Sequence, residues 1–141
     1  MKIFAMIIVP ALLLATHVAA QVSVTNVAKG DMSGQQIAKQ VTVRTPSEWK
    51  ALWKDHAPTE SMPTVDFTKS MVVGVFLGTK PSAGYAVEIT GARPDAKDLI
   101  VEYVQKQPAP GTMTAQILTG PYHLVSVPKH AGPVRFVQNK F

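Results

Sequence analysis

The sequence predicts a mainly β domain, an antiparallel β-sandwich or rolled sheet of about eight strands with one short α-helix at about 46–56. Three observations point there. Short segments dense in Val, Ile and Tyr recur along the chain, with Pro- and Gly-containing corners between them. Only "TPSEWKALWKDHA" carries apolar residues at helical spacing. "MVVGVFLG" is apolar without a break, as a central strand buried on both faces should be.

Taken in order, "VSVTNVA" (22–28) and "IAKQVTVR" (37–44) read as extended segments around the turn signal "KGDMSG". The helix follows. Thr45 is placed to cap it, Pro46 suits its first turn, and Glu48 stands three residues after the cap, which spells a capping box. Trp49, Leu52 and Trp53 form one apolar face, and Pro58 stops the helix soon after His56. A loop with Pro58 and Pro63 leads through "VDF" to the strand 71–78. Tyr85, Val87 and Ile89 then alternate with polar or small residues, "GARPDAKD" turns the chain, and Leu99, Val101 and Tyr103 share the next inward face. "TMTAQIL" (112–118), "YHLVSV" (122–127) and "VRFV" (134–137) complete the expected strands.

Residues 1–20 have the pattern of a leader: Lys2, an apolar run from Ile3 to Ala15, and small residues ending at Ala20. The apolar run is shorter than the roughly 20 residues of a spanning helix. Cleavage after Ala20 is expected, which leaves 121 of the 141 residues as one exported domain, periplasmic or secreted, with no membrane span. With no cysteine, disulfides, thiol nucleophiles and thiolate metal sites are excluded. Without Lys2, 13 Lys and Arg face 9 Asp and Glu, a net charge of +4. The basic residues are scattered and never adjacent, unlike the clustered stripe of a nucleic-acid site, so no nucleic acid is expected as a partner.

Catalytic signals are weak. His56, His123 and His130 have no metal-ligand spacing, so no metal and no cofactor is expected. His56 ends the helix, where a cation suits the dipole. Ser82 with His123 or His130 and Asp66 or Asp98 would make a nucleophilic triad on paper, but Ser82 lacks a nucleophile elbow. Glu88 and Glu102 fall on wet strand faces, where basic partners are expected rather than paired-carboxylate chemistry. No catalytic residue is assigned.

If the strands from Met71 onward alternate in direction, "TKPSAG", "QKQPAPG" and "PKHAGP" lie at one end of the sandwich, with "GARPDAKD" and "TGP" at the other. The three former loops hold the expected protein-binding residues: Lys80, Pro81, Ser82, Ala83, Gly84 and Tyr85 in the first, Lys106, Pro108, Pro110 and Gly111 in the second, Lys129 and His130 in the third. Prolines limit the entropy lost when such loops bind. Gly84 is expected at positive φ, Lys80 and Ser82 as exposed contacts, and Tyr85 as a ring anchor with its hydroxyl on a backbone group.

The order "WKALW", "MVVGVFLG", "KPSAGYAVEI", "PAPGTM", "GPYHLVSVPK" resembles the PrcB C-terminal domain family, over about residues 41–137. The resemblance implies an exported, non-catalytic accessory domain that acts on a protein partner, a protease in the case of the subunit for which the family is named. "KPSAGY" is also similar to a loop of chagasin-type protease inhibitors, sandwiches that insert three same-end loops into a protease. Lys80 stands where that loop has Asn, and the Gly pair of their second loop is missing.

Overall fold

The computed structural model describes residues 20–140. The expected leader falls outside these residues except for Ala20. Among the described residues seven strands form two sheets beside one helix, with 45% of those residues in strand and 9% in helix. The elements are β1 (Thr25–Gly30), β2 (Lys39–Val43), α1 (Pro46–His56), β3 (Ser70–Phe76), β4 (Ala86–Asp95), β5 (Asp98–Lys106), β6 (Tyr122–Pro128) and β7 (Val134–Asn139). A four-stranded sheet runs β1-β6-β3-β2 and a three-stranded sheet runs β4-β5-β7. The four-stranded sheet lies in the middle of three layers, α1 on one face and the second sheet on the other.

This position explains the unbroken apolar run. Met71, Val73 and Val75 of β3 pack toward the second sheet with Val125 and Val127 of β6. Val72 and Phe76 point the other way, to Trp49, Leu52 and Trp53 of α1, together with Tyr122 and Leu124. Gly74 is on the helix side, where a Cβ would run into Leu124 Cδ2 and lie 3.1 Å from Val41 Cγ2. The helix begins and ends as its sequence requires. Thr45 Oγ1 accepts from Glu48 N at 3.2 Å, while Glu48 Oε2 accepts from Arg44 N at 3.0 Å, one residue before the cap. The indole N–H of Trp49 donates to Pro63 O and that of Trp53 to Glu60 O, both at 3.0 Å, so the two rings also hold the 58–65 loop.

Four sequence expectations change. The segment 112–118 is not a strand, so there are seven strands and not eight. Its alternating Met113 and Ile117 are 98% and 53% exposed instead of facing a core. β7 pairs with β5 in parallel, from Leu99 opposite Val134 to Val104 opposite Asn139. β4 does not end at Thr90 but continues through a bulge at Ile89/Gly91 to a two-residue turn, Ala96–Lys97. As β4 is an edge strand, Pro94 can be accommodated without breaking the ladder. Finally, His56 is no exposed helix-terminal cation. It is buried, its Nδ1 2.7 Å from Ser33 Oγ and its ring edge-on to Tyr122, and desolvation lowers its pKa.

His123 joins the two sheets. Its Nδ1 accepts the Ile89 N–H of β4 at 2.9 Å, which leaves Nε2–H to donate to Asn26 Oδ1 of β1 at 2.9 Å. Burial first, then the charge of Lys29, lowers its pKa to about 4 from 6.5. Between those values the unfolded chain binds a proton that the folded one refuses, so stability is complete above pH 6.5 and falls as pH drops toward 4. His56 acts in the same direction. Thermal melting followed from pH 7 to pH 4 is expected to show this decline, and His123→Gln is expected to flatten it partly, leaving the share due to His56.

Candidate functional site

Sheet register decides which loops meet. Phe76 pairs with Tyr122 at one end of the β3–β6 ladder, and Ser70 pairs with Pro128 at the other. β3 therefore delivers the 77–85 corner to the Phe76 end, and β5 and β6 are joined at this end by residues 107–121. The two connections are tied together. Lys80 and Thr119 exchange backbone bonds of 2.8 and 3.0 Å, Ala83 N donates to Ala115 O at 3.0 Å, and Thr119 Oγ1 donates to Ser82 O at 2.9 Å. Residues 31–37 join them through Ser33 N to Gly120 O, Gly120 N to Asp31 O and Thr79 N to Gln36 O.

The third expected loop lies elsewhere. β6 ends at Pro128 opposite Ser70, and Lys129 N donates to Lys69 O at 3.0 Å. His130 Nε2 is 2.9 Å from Lys97 O, and Arg44 Nη2 donates to Gly132 O at 2.7 Å. Lys129 and His130 are thus at the opposite end, beside the β4–β5 turn. The reason is the missing strand: with 112–118 irregular, one change of direction disappears and every later connection changes ends. By the same logic Thr119–Pro121, expected far from the first corner, lies against it. Lys129 and His130 are therefore not part of the surface that the first two loops form.

Within the first corner the expected residues divide. Gly84 has φ +96°, and a Cβ there would stand 2.8 Å from Pro108 Cγ. Pro108 therefore packs on the corner, while Pro81, Pro110 and Lys106 are exposed. Gly111, at φ +79°, makes the turn in which Thr112 N donates to Ala109 O. Ser82 is not an exposed contact: it is 8% exposed and its hydroxyl donates to Ala83 O at 3.0 Å. Tyr85 is half-buried, with Lys80 Nζ 5.4 Å from its ring centroid.

The hydrogen bonds of Ser82 and His123 go to groups outside any Ser–His relay, and His130 is at the other end. Asp66 is lowered in pKa by Thr68, whose hydroxyl and N–H both donate to it. Asp98 faces Arg135 at 3.3 Å. Glu88 and Glu102 meet Lys29 and Arg93, each at 3.6 Å. Among the described residues no three His, Asp or Glu side chains are grouped to hold a metal ion, and no helix is long and apolar enough to cross a membrane.

Sequence reading missed the most distinctive feature of this end. Among the described residues the large exposed apolar side chains are Met32, Ile37, Met62, Met113, Ile117 and Leu118. All but Met62 belong to the two segments that meet the first corner, and Met32 and Leu118 line one hollow of about 240 Å³ with Thr79. In the sequence, alternation made 112–118 look like a half-buried strand, and nothing in composition separates an apolar residue facing a core from one facing water.

The PrcB C-terminal family model matches residues 71–128. The match runs from β3 to the end of β6, and so includes the first corner and the whole 107–121 connection. It meets the family resemblance read from the sequence over that stretch. No curated protein and no solved structure matches the chain.

Gly84 of the corner and Gly111 of the 107–121 connection are separated by a prediction. Gly84→Ala meets both an unfavourable φ and the Pro108 ring and is expected to cost about 1–3 kcal/mol. Gly111→Ala, with open space around its Cβ, is expected to cost about 1 kcal/mol from backbone conformation alone. Urea unfolding midpoints of the two variants check the order.

Proposed function

We propose that this chain is an exported, non-catalytic accessory domain that binds a protein partner through the end of the sandwich carrying the 80–85 corner. The family match over residues 71–128 supports the accessory class. The observation that carries the binding reading is the collection of exposed apolar side chains at that end: Met32, Ile37, Met113, Ile117 and Leu118. Scattered apolar exposure is ordinary, but a concentration beside proline-stiffened connections is characteristic of interaction surfaces. Assembly or stabilisation of an envelope or secreted protease is the role proposed for the contact.

Co-purification from the envelope fraction tests this reading. Ile117→Asp with Leu118→Asp is expected to lower recovery of a specific protein by about tenfold, corresponding to about 1.4 kcal/mol of binding. The melting temperature is expected to stay unchanged because both side chains face water. Met62→Asp, in the 58–65 loop held by the tryptophans of α1, is expected to leave recovery intact. Equal recovery in all three proteins would remove this end from the proposal. Titration of subtilisin and papain with the purified domain checks a protease partner directly, since a domain that blocks the active site lowers their activity and an accessory one does not.

A further inference from the structure

Beside the apolar rim lies a groove of about 400 Å³ where the two sheets part. Edge strand β2 forms one wall, contributing Lys39 and Gln40, and β5 forms the other, contributing Tyr103 and Gln105. The end of β3 lies between them, and Lys80 closes the groove at the corner. Gln40 Nε2 donates to Tyr103 Oη at 3.1 Å across the gap. Lys80 and Gln105 also border a neighbouring hollow of about 210 Å³, which adds Lys106, Tyr85 and Gln138. No carboxylate lines either space. Among the described residues the ion pairs are made by Lys29, Arg93 and Arg135, so Lys39, Lys80 and Lys106 enter none of them.

We propose that this groove binds an acidic, extended peptide segment, with its carboxylates on Lys39, Lys80 and Lys106 and its backbone along the free edge of β2. The inference deepens the protein-binding reading above by stating the chemistry of the segment bound. Three lysines that enter no ion pair set the sign of the ligand. The flanking strand edge, with its outward backbone donors and acceptors, and the amides of Gln40 and Gln105 select a peptide over other polyanions. The half-buried Tyr85 ring supplies area for a side chain between the acids.

The test uses the full domain and a fluorescein-labelled peptide, acetyl-Glu-Val-Glu-Thr-Glu-Val-amide, followed by anisotropy at low salt. Exposed ion pairs are individually weak, so reversing two lysines together should weaken binding by about tenfold or more. Lys39→Glu with Lys80→Glu is expected to do so, while Lys50→Glu with Lys54→Glu, equal in net charge and placed on α1, leaves binding within about twofold. The lysine counterpart of the peptide is expected not to bind, and dextran sulfate is expected to compete only weakly. Equal loss in the two double variants, full competition by dextran sulfate, or no binding of the acidic peptide would each overturn the groove assignment. Melting curves confirm that both variants are folded, and wild-type salt dependence gives a readout independent of mutation. Failure of the peptide with rim-dependent co-purification intact would leave the protein-binding reading standing, and the reverse outcome would remove the rim alone.

Discussion

Burial of the central sheet on both faces is the constraint from which the rest follows. β3 and β6 must satisfy a helix on one side and a second sheet on the other, so alternate residues of each strand serve different cores. Val72 and Phe76 belong with the tryptophans, while Met71, Val73 and Val75 belong with β4 and β5. A shift of one residue in β3 would exchange its two sets and place Gly74 on the wrong face. That position has room for hydrogen only, because Leu124 and Val41 close over it. The middle layer is therefore pinned in register before any loop is considered.

Polar groups then orient the layers relative to one another. The His123 ring hydrogen-bonds both outer strands of the adjoining sheets, β4 and β1. A neutral imidazole can accept at Nδ1 and donate at Nε2 simultaneously, and a protonated one cannot, so the cross-sheet contact uses the neutral form that burial favours. At the opposite end Arg44 performs a comparable service, holding the 129–133 connection by its carbonyl oxygens. This end is paired and satisfied: Arg135 meets Asp95 and Asp98, and His130 meets Lys97 O. The corner end is different: its backbone is thoroughly bonded, while Met32, Ile37, Met113, Ile117 and Leu118 are exposed and Lys80 and Lys106 enter no ion pair among the described residues. A rigid frame with unsatisfied side chains loses little entropy on association, which is the physical basis for placing the interaction surface there.

Much of the fold was legible in the sequence because it depends on local chemistry or on simple periodicity. The helix starts and stops where Thr45, Pro46 and Pro58 require, and its boundaries, Pro46–His56, agree with expectation. The apolar run of β3, the inward parity of Val87, Ile89, Val101 and Tyr103, and the positive φ of Gly84 likewise follow from residue type and spacing. The candidate site was legible only in part. Gly84, Pro108 and Lys80 come together, but Ser82 turns inward and His130 lies at the far end.

What the sequence determined by itself was the set of elements whose identity is decided within a few residues: the capped helix, the two-sided central strand, and the glycine corner. Only the tertiary structure decided the fate of 112–118, the parallel pairing of β7 and the end at which each connection falls. Alternation says that a segment has two faces, but whether either face is buried depends on a neighbour distant in the chain, and no such neighbour covers Met113 or Ile117. A single strand more or fewer reverses every later connection, so the location of the site was a long-range property that local spacing does not encode.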